Sequence, residues 1–226
     1  MPEGNKRTRS RSAGRKAVRP RAAAPYHHGD LQRALLEATE KLLESKGVGG
    51  FTLREVARRA GVSHGAPAHH FGDVRGLLSE FTAESFKQLS ASMREWQSRA
   101  PDTAFDQLVA LGVGYVDYAL RHRARFQLMF RSERLDWNRP SLAAAGAEAY
   151  RQLIDCVERN SREAGAPAEL DAEKVALAWS IVHGFATLMI DNRRFAKDCS
   201  GDSPTRALDL VRRLIESARE AFERSG

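Results

Sequence analysis

Thr52-Leu53-Arg54-Glu55-Val56-Ala57-Arg58-Arg59-Ala60-Gly61-Val62-Ser63 decides the fold of this chain. Thr52 and Glu55 stand in capping-box spacing: the threonine hydroxyl accepts from the Glu55 amide while the Glu55 carboxylate reaches back to the Thr52 amide. A short helix therefore starts after Thr52. Gly61, free to take a positive φ, ends it. Ala57 is small enough for a second helix to cross closely, and Ser63 is placed to cap that second helix. Val56 and Val62, with Leu53 and Phe71, supply a small core beneath.

The pattern around this stretch is helical as well. Asp30 is placed to cap a helix whose apolar positions Leu31, Leu35, Ala38 and Leu42 recur at three and four, and Gly47 is placed to stop it. Asp73 opens a fourth helix with Leu77, Phe81, Leu89, Met93 and Trp96 on its inner side. Pro101-Asp102 breaks the chain. Helices then follow at about 104–120, 123–131, 141–164, 172–195 and 205–223, interrupted at Trp137–Pro140, Gly165–Pro167 and Ser200–Pro204. No alternating strand run and no internal repeat occurs. The chain reads as all-α: a three-helix helix-turn-helix unit followed by a helical bundle.

The chain has 226 residues and a net charge of +7. Eight basic residues (Lys6, Arg7, Arg9, Arg11, Arg15, Lys16, Arg19 and Arg21) and one acid, Glu3, fall within residues 1–25, so this segment carries the whole excess. Residues 26–226 hold 28 basic and 28 acidic residues. The composition, 42% hydrophobic and 29% charged, is that of a globular protein and excludes global disorder. No apolar segment follows the N-terminal charges, so no secretory signal is expected. The longest uncharged stretch beyond the arm, Val175–Ile190, is 16 residues, short of the roughly 20 that span a bilayer. Cys156 and Cys199 lie in no metal-ligand or disulfide spacing, and a reducing cytoplasm is the expected compartment.

Two short helices at this spacing also suit an ordinary αα-hairpin. The capping box, the Gly-Val-Ser turn and the basic arm together favour DNA binding, since a helix N-terminus brings unpaired amides and a positive dipole end to a groove. Residues 31–81 moreover resemble the DNA-binding domain of TetR-type transcriptional regulators. The shared pattern runs through Thr52, Val56, Ala57, Ala60, Gly61, Val62, Ser63, Gly65, His70 and Phe71. The resemblance implies a homodimer that binds a palindromic double-stranded DNA operator and represses until a small-molecule effector binds the C-terminal domain. It implies DNA contacts from Thr52, Ser63, His64, Gly65, Ala66, His69, His70 and Arg75. His64 and His69 would face the groove, and His70 would pack or face a phosphate.

The chain departs from the family where Ala66-Pro67-Ala68 replaces a common Thr-Leu-Tyr, so the third helix must begin close to Pro67 or start as a looser turn. Ala68 lacks an aromatic hydroxyl for a phosphate, and Val74 replaces a lysine, with Arg75 next door. Fewer phosphate contacts are expected from the folded domain. The histidine cluster could hold a metal, but the resemblance points away from one, and neither metal nor cofactor is expected.

In the C-terminal half, Val175–Ile190 is apolar on every side and must be covered all round. Ala178, Val182 and Ala186 would admit a close helix, and Leu208, Val211, Ile215, Ala218 and Phe222 repeat at three and four. Together they suggest a four-helix dimer interface; the same spacing also fits packing inside one monomer. Trp179, His183 and Gly184 resemble the Trp-His-Gly signature of one TetR-type C-terminal class. His183 is read either as a ligand contact or as a buried core histidine. Tyr115, Tyr118, Phe126, Met129 and Phe130 are candidate pocket residues, as are Trp137, Tyr150 and Trp179.

No nucleophile–base frame, metalloprotease helix or phosphate-binding glycine loop occurs, so an enzyme is not expected. The expected organisation is a basic arm (1–25), a DNA-binding domain (26–72) and a ligand-binding and dimerisation domain (73–226) entered by a linking helix (73–98). The competing reading is a sequence-nonspecific or architectural DNA-binding protein that relies on the arm.

Overall fold

The local chemistry of residues 52–63 appears directly in the computed structural model, which describes residues 28–47, 49–165, 171–201 and 203–223. The basic arm lies outside the described residues. Helix α1 (His28–Lys46) ends where Gly47 takes φ 71°. Thr52 caps α2 (Leu53–Ala60): its Oγ1 accepts from the Glu55 amide at 3.3 Å, and Glu55 Oε2 accepts from the Thr52 amide at 3.0 Å. Gly61, at φ 70°, closes α2 in the left-handed region. Helix α3 (Ala66–Phe71) follows, then α4 (Val74–Gln97), capped by Asp73 through the Gly76 amide at 2.7 Å.

Two expectations fail here. The described part of α1 begins at His28, so Asp30 lies in its first turn rather than ahead of it. Ser63 does not cap α3: its carbonyl accepts from the Ala66 amide at 3.1 Å, and Ser63–Gly65 form a turn before the helix. Pro67 explains the delay. It has no amide to give and is tolerated only at a helix's first positions, so α3 starts at the residue before it.

The larger unit comprises α5 (Ala104–Arg121), α6 (Arg123–Met129), a 3-10 turn at Ser132–Arg134, α7 (Pro140–Glu163), α8 (Ala172–Asp191), α9 (Arg193–Ser200), α10 (Pro204–Ser217) and α11 (Arg219–Glu223). No strand occurs among the described residues. The helix expected over 172–195 breaks at Asn192, whose side chain caps α9 through the Phe195 amide at 3.0 Å. The helix expected over 205–223 divides at Ala218. Helix α5 runs through the centre, against α4, α7, α8 and α10. Two glycines permit this: a Cβ on Gly112 would sit 2.5 Å from Ile215 Cδ1, and one on Gly114 would sit 2.8 Å from the Met93 Cα.

The expected dimer seam is largely one chain's own core. Val211, Ile215 and Phe222 are buried, as are Ala178, Val182 and Ala186, while Leu208 and Ala218 pack half-buried against the same cluster. Three-four spacing describes an inward stripe as well as a subunit seam, and here it is inward. Helix α8 has the length and apolar character of a membrane span. Its Val175, Ala178, Val182, Phe185, Ala186 and Met189, however, are buried in the core. Left outward are Leu188 and Leu214, at 46% and 41% exposure, with Leu177, Ile181 and Leu210 half-buried beside them.

The burial pattern separates two neighbours on α10. Ile215→Ala should lower the free energy of urea unfolding by about 2–5 kcal/mol, the range for truncating a buried aliphatic side chain. Leu214→Ala should stay within about 0.5 kcal/mol in the isolated chain. Equal effects would place Ile215 outside the core.

Candidate nucleic-acid interface and effector cavity

The turn before α3 and the face of α3 away from the core form one exposed strip. Ser63, His64, Gly65 and His69 are exposed, Ala66 and His70 are half-buried, and Pro67 and Phe71 are buried beneath. This gives a polar edge of small residues and two imidazoles on an apolar base. Thr52 is exposed, but its amide is already taken by Glu55. Glu55 also pairs with Lys46, tying α1 to α2.

Arg75 is turned from the reading edge: its Nε and Nη2 donate to the Leu135 carbonyl at 3.0 and 2.7 Å. Arg75, expected at a phosphate, is exposed and makes this internal contact through two of its donors. Arg54, Arg58 and Arg59 are exposed on α2 and form a basic face that the sequence reading did not single out. The i, i+4 spacing of Arg54 and Arg58 is the signal that would have found it. Among the described residues no group of His, Cys, Asp and Glu is arranged to hold a metal ion.

A partly buried ion pair joins the small unit to the large one. Arg125 on α6 donates from Nε and Nη2 to both carboxylate oxygens of Glu40 on α1, at 2.6 and 2.7 Å. Its guanidinium lies 4.3 Å from the Phe81 ring centroid and also donates to Ser85 Oγ at 3.3 Å. The hydrogen bonds from Arg125 hold the Glu40 carboxyl below its ordinary range despite its burial.

Between α4, α5, α7 and α8 lies an apolar cavity of about 320 Å³, within the size range of small-molecule sites. Five candidate pocket residues line it: Tyr115, Phe130, Trp137, Tyr150 and Trp179. The other four do not. Met129 is core, and Tyr118 is packed near Arg125, where burial pushes its hydroxyl up to about 12. Phe126 and His183 line a separate, polar groove on the far side of Phe130.

His183 nevertheless acts on the cavity wall, because its Nδ1 lies 2.8 Å from the Tyr115 hydroxyl. Either the phenol donates to Nδ1 or an Nδ1–H donates to the phenol oxygen, according to the tautomer of His183. Burial lowers the His183 pKa and raises that of Tyr115, so both are neutral at neutral pH. No charged side chain lines the cavity. Missed from sequence were Phe86, Leu89 and Met93, the wall contributed by α4, and Val182, which the sequence reading places in the dimer seam. A stripe facing a cavity has the same spacing as one facing a solid core.

Two family models match the chain. Residues 35–81 match the bacterial regulatory proteins of the tetR family, and residues 108–218 match a tetracyclin repressor-like C-terminal domain. The chain belongs to the TetR family of DNA-binding transcriptional regulators, and its α2–turn–α3 unit is the family's helix-turn-helix. The C-terminal match does not name the Trp-His-Gly class.

Among curated relatives, the transcriptional regulator BetI of Cronobacter sakazakii is 28% identical over 70% of this chain and 75% of its own length. BetI of Stenotrophomonas maltophilia is 32% identical over 37% of this chain, a stretch covering 42% of that protein. Among solved structures, a Rhodococcus protein of unknown function is 30% identical, with a TM-score of 0.69 over 89% of this chain and 97% of its own. The TetR-family regulator PfmR of Thermus thermophilus shares the fold, with a TM-score of 0.58 over 86% and 95% of the two chains at 23% identity.

Because the folded Glu40 pKa is lowered, the Glu40–Arg125 pair should stabilise fully above the ordinary carboxylate value of 4.5. That stability is lost as pH falls through the lowered value. Urea titrations between pH 3 and 7 should show Glu40→Gln less stable than the parent at pH 7, with the gap closing in acid. A gap that stays constant with pH would remove the pair from the acid limb.

Proposed function

We propose that this chain is a ligand-responsive, sequence-specific regulator: a cytoplasmic homodimeric repressor that leaves a palindromic operator when a small, uncharged, largely apolar effector fills the cavity. The observation that carries this reading is that α4 holds the reading head at one end and walls the cavity with Phe86, Leu89 and Met93 further along. In the proposed complex, two α3 segments enter successive major grooves about 34 Å apart. Ser63, His64, Gly65, Ala66 and His69 meet bases or phosphates, with Thr52 and His70 at the edge. Effector entry shifts α4 and changes the separation of the two heads. Effector and operator then weaken each other by the same factor.

The outward apolar stripe of Leu177, Ile181 and Leu188 on α8 and Leu210 and Leu214 on α10 is the proposed dimer surface, replacing the buried seam. A two-fold axis would bring the same patch from each subunit together. Leu188→Glu with Leu214→Glu should give folded monomers in sedimentation and weak operator binding. Variants that remain dimers would place the interface elsewhere.

Selection of bound fragments from random DNA tests the whole reading. A palindromic consensus is expected, and binding without a preferred site would favour the architectural alternative. With the selected operator, N-phenyl-1-naphthylamine, an uncharged apolar fluorophore, should bind the chain and weaken operator affinity. Binding with unchanged affinity would overturn effector release by this class.

The arm of residues 1–25 is proposed to add phosphate contacts that Ala68 and Val74 do not make. Each such contact steepens the slope of log affinity against log salt by about 0.9. Deleting the arm should flatten that slope and leave site preference intact; an unchanged slope would retire the idea.

A further inference from the structure

The segment between α6 and α7 touches the cavity with one residue and the reading helix with another two positions on. Arg139 Nη2 donates to the Phe71 carbonyl, the last of α3, at 2.7 Å. Its Nη1 donates to Glu80 Oε1 on α4 at 3.2 Å, and the same oxygen accepts from Ser141 Oγ at 2.8 Å. The Asp136 amide donates to Ser79 Oγ at 2.8 Å, and Arg75 grips the Leu135 carbonyl. Gly76 is part of this arrangement, since a Cβ there would collide with both the Phe71 carbonyl and the Arg139 guanidinium.

Trp137 faces the other way. Its ring lies 5.9 Å from that of Phe86 and lines the cavity, and a Cβ built on Gly146 would sit 3.0 Å from it. The intervening turn is closed on itself: the Arg139 amide donates to the Asp136 carbonyl at 3.1 Å, and the Asn138 amide to Asp136 Oδ1 at 3.2 Å. Trp137 and Arg139 therefore sit on one hydrogen-bonded unit.

We propose that Arg139 is a positioning residue for the reading helix, and that Trp137, through the turn they share, makes its grip depend on what fills the cavity. This rests on the reading of the cavity as an effector site. A ligand seated against Phe86 and Gly146 competes with the Trp137 ring for space. Moving that ring moves the turn, withdraws Arg139 from the Phe71 carbonyl and frees the end of α3 from α4. Arg139 touches neither DNA nor ligand in this scheme; it sets the angle at which α3 is held.

Hydrogen exchange on the full chain tests this without DNA or ligand. The reporters are the Gly72, Gly76 and Leu77 amides, bonded at 2.9, 2.7 and 3.1 Å. Arg139→Ala should speed their exchange about tenfold or more, the scale of losing a hydrogen bond to a charged group, while α8 amides keep their rates. Arg139→Lys should restore part of the protection, because one ammonium cannot reproduce the forked grip on Phe71 and Glu80.

Gly146→Leu serves as a built-in cavity filler. It should speed the same amides in the parent, add nothing in the Arg139→Ala background, and act more weakly beside Trp137→Ala. Gly146→Ala, whose Cβ alone reaches Trp137, is the milder filler should leucine prevent folding, which circular dichroism would reveal. Unchanged junction amides in Arg139→Ala, or equal effects of the filler with and without Arg139, would overturn the proposal. Failure of the DNA or effector reading would appear instead in fragment selection and the fluorophore titration.

Discussion

The enclosure of α4 is the constraint from which the rest of the molecule follows. Gly76 to Ser79, Phe81 to Ala83, and Ser85 and Phe86 are all buried. Successive residues on a helix point about 100° apart, so this run is covered on every side. Neither half of the chain could cover it alone. The small unit supplies one side through α1 and α3, and α5, α6 and α7 supply the others. Hydroxyls within the run are accommodated because some bond back into their own helix, as Ser79 does to the Arg75 carbonyl and Ser85 to the Phe81 carbonyl, each at 2.8 Å. A helix of 24 residues held this way is a rod about 36 Å long, and a displacement at its cavity end must be felt at its capped end.

The polar groups are sorted to suit that rod. Where the two units meet, the contacts are charged and directional: Arg125 with Glu40, Arg139 with Phe71 and Glu80, and Arg75 with Leu135. Such contacts have one good geometry and lose most of their energy outside it, so they define an angle between units. The cavity wall is apolar, and apolar contacts are non-directional, so it fixes no comparable angle. A ligand charge would enter a space with no counter-ion and would face a desolvation penalty it could not recover.

How legible this was from sequence depends on whether a feature is local. The capping box at Thr52–Glu55, the Gly61 turn and the Asp73 cap are encoded within four residues, and each formed as read. Ser63 was misread because Pro67, four residues on, delayed the helix start. The break at Ala218 interrupts continuous apolar periodicity without proline or glycine, so nothing local announces it, while the break at Asn192 has a local signal in the asparagine that caps α9. The buried stripes on α8 and α10 suit a dimer seam and a monomer core alike, because spacing states that a face is covered and never by what. Arg75 followed the same rule: an arginine beside a reading head suggests phosphate, yet the Leu135 carbonyl, sixty residues away, takes both donors. The cavity wall on α4 was legible as apolar and illegible as hollow.

The histidine at the cavity margin shows how a local signature acquires meaning only from its neighbours. Trp179 and His183, four residues apart, share a helix face as their spacing required, with ring centroids 6.3 Å apart. What spacing could not show is that Tyr115, 68 positions earlier, lines the cavity with Trp179 and is hydrogen-bonded to His183. The imidazole thus fixes the phenol, and with it the ring that forms part of the cavity wall. Burial opposes ionisation of Tyr115, so the phenol carries no charge. The pair thus links α5 to α8 across the cavity margin, and a single hydrogen bond ties the apolar wall to the polar groove that His183 lines.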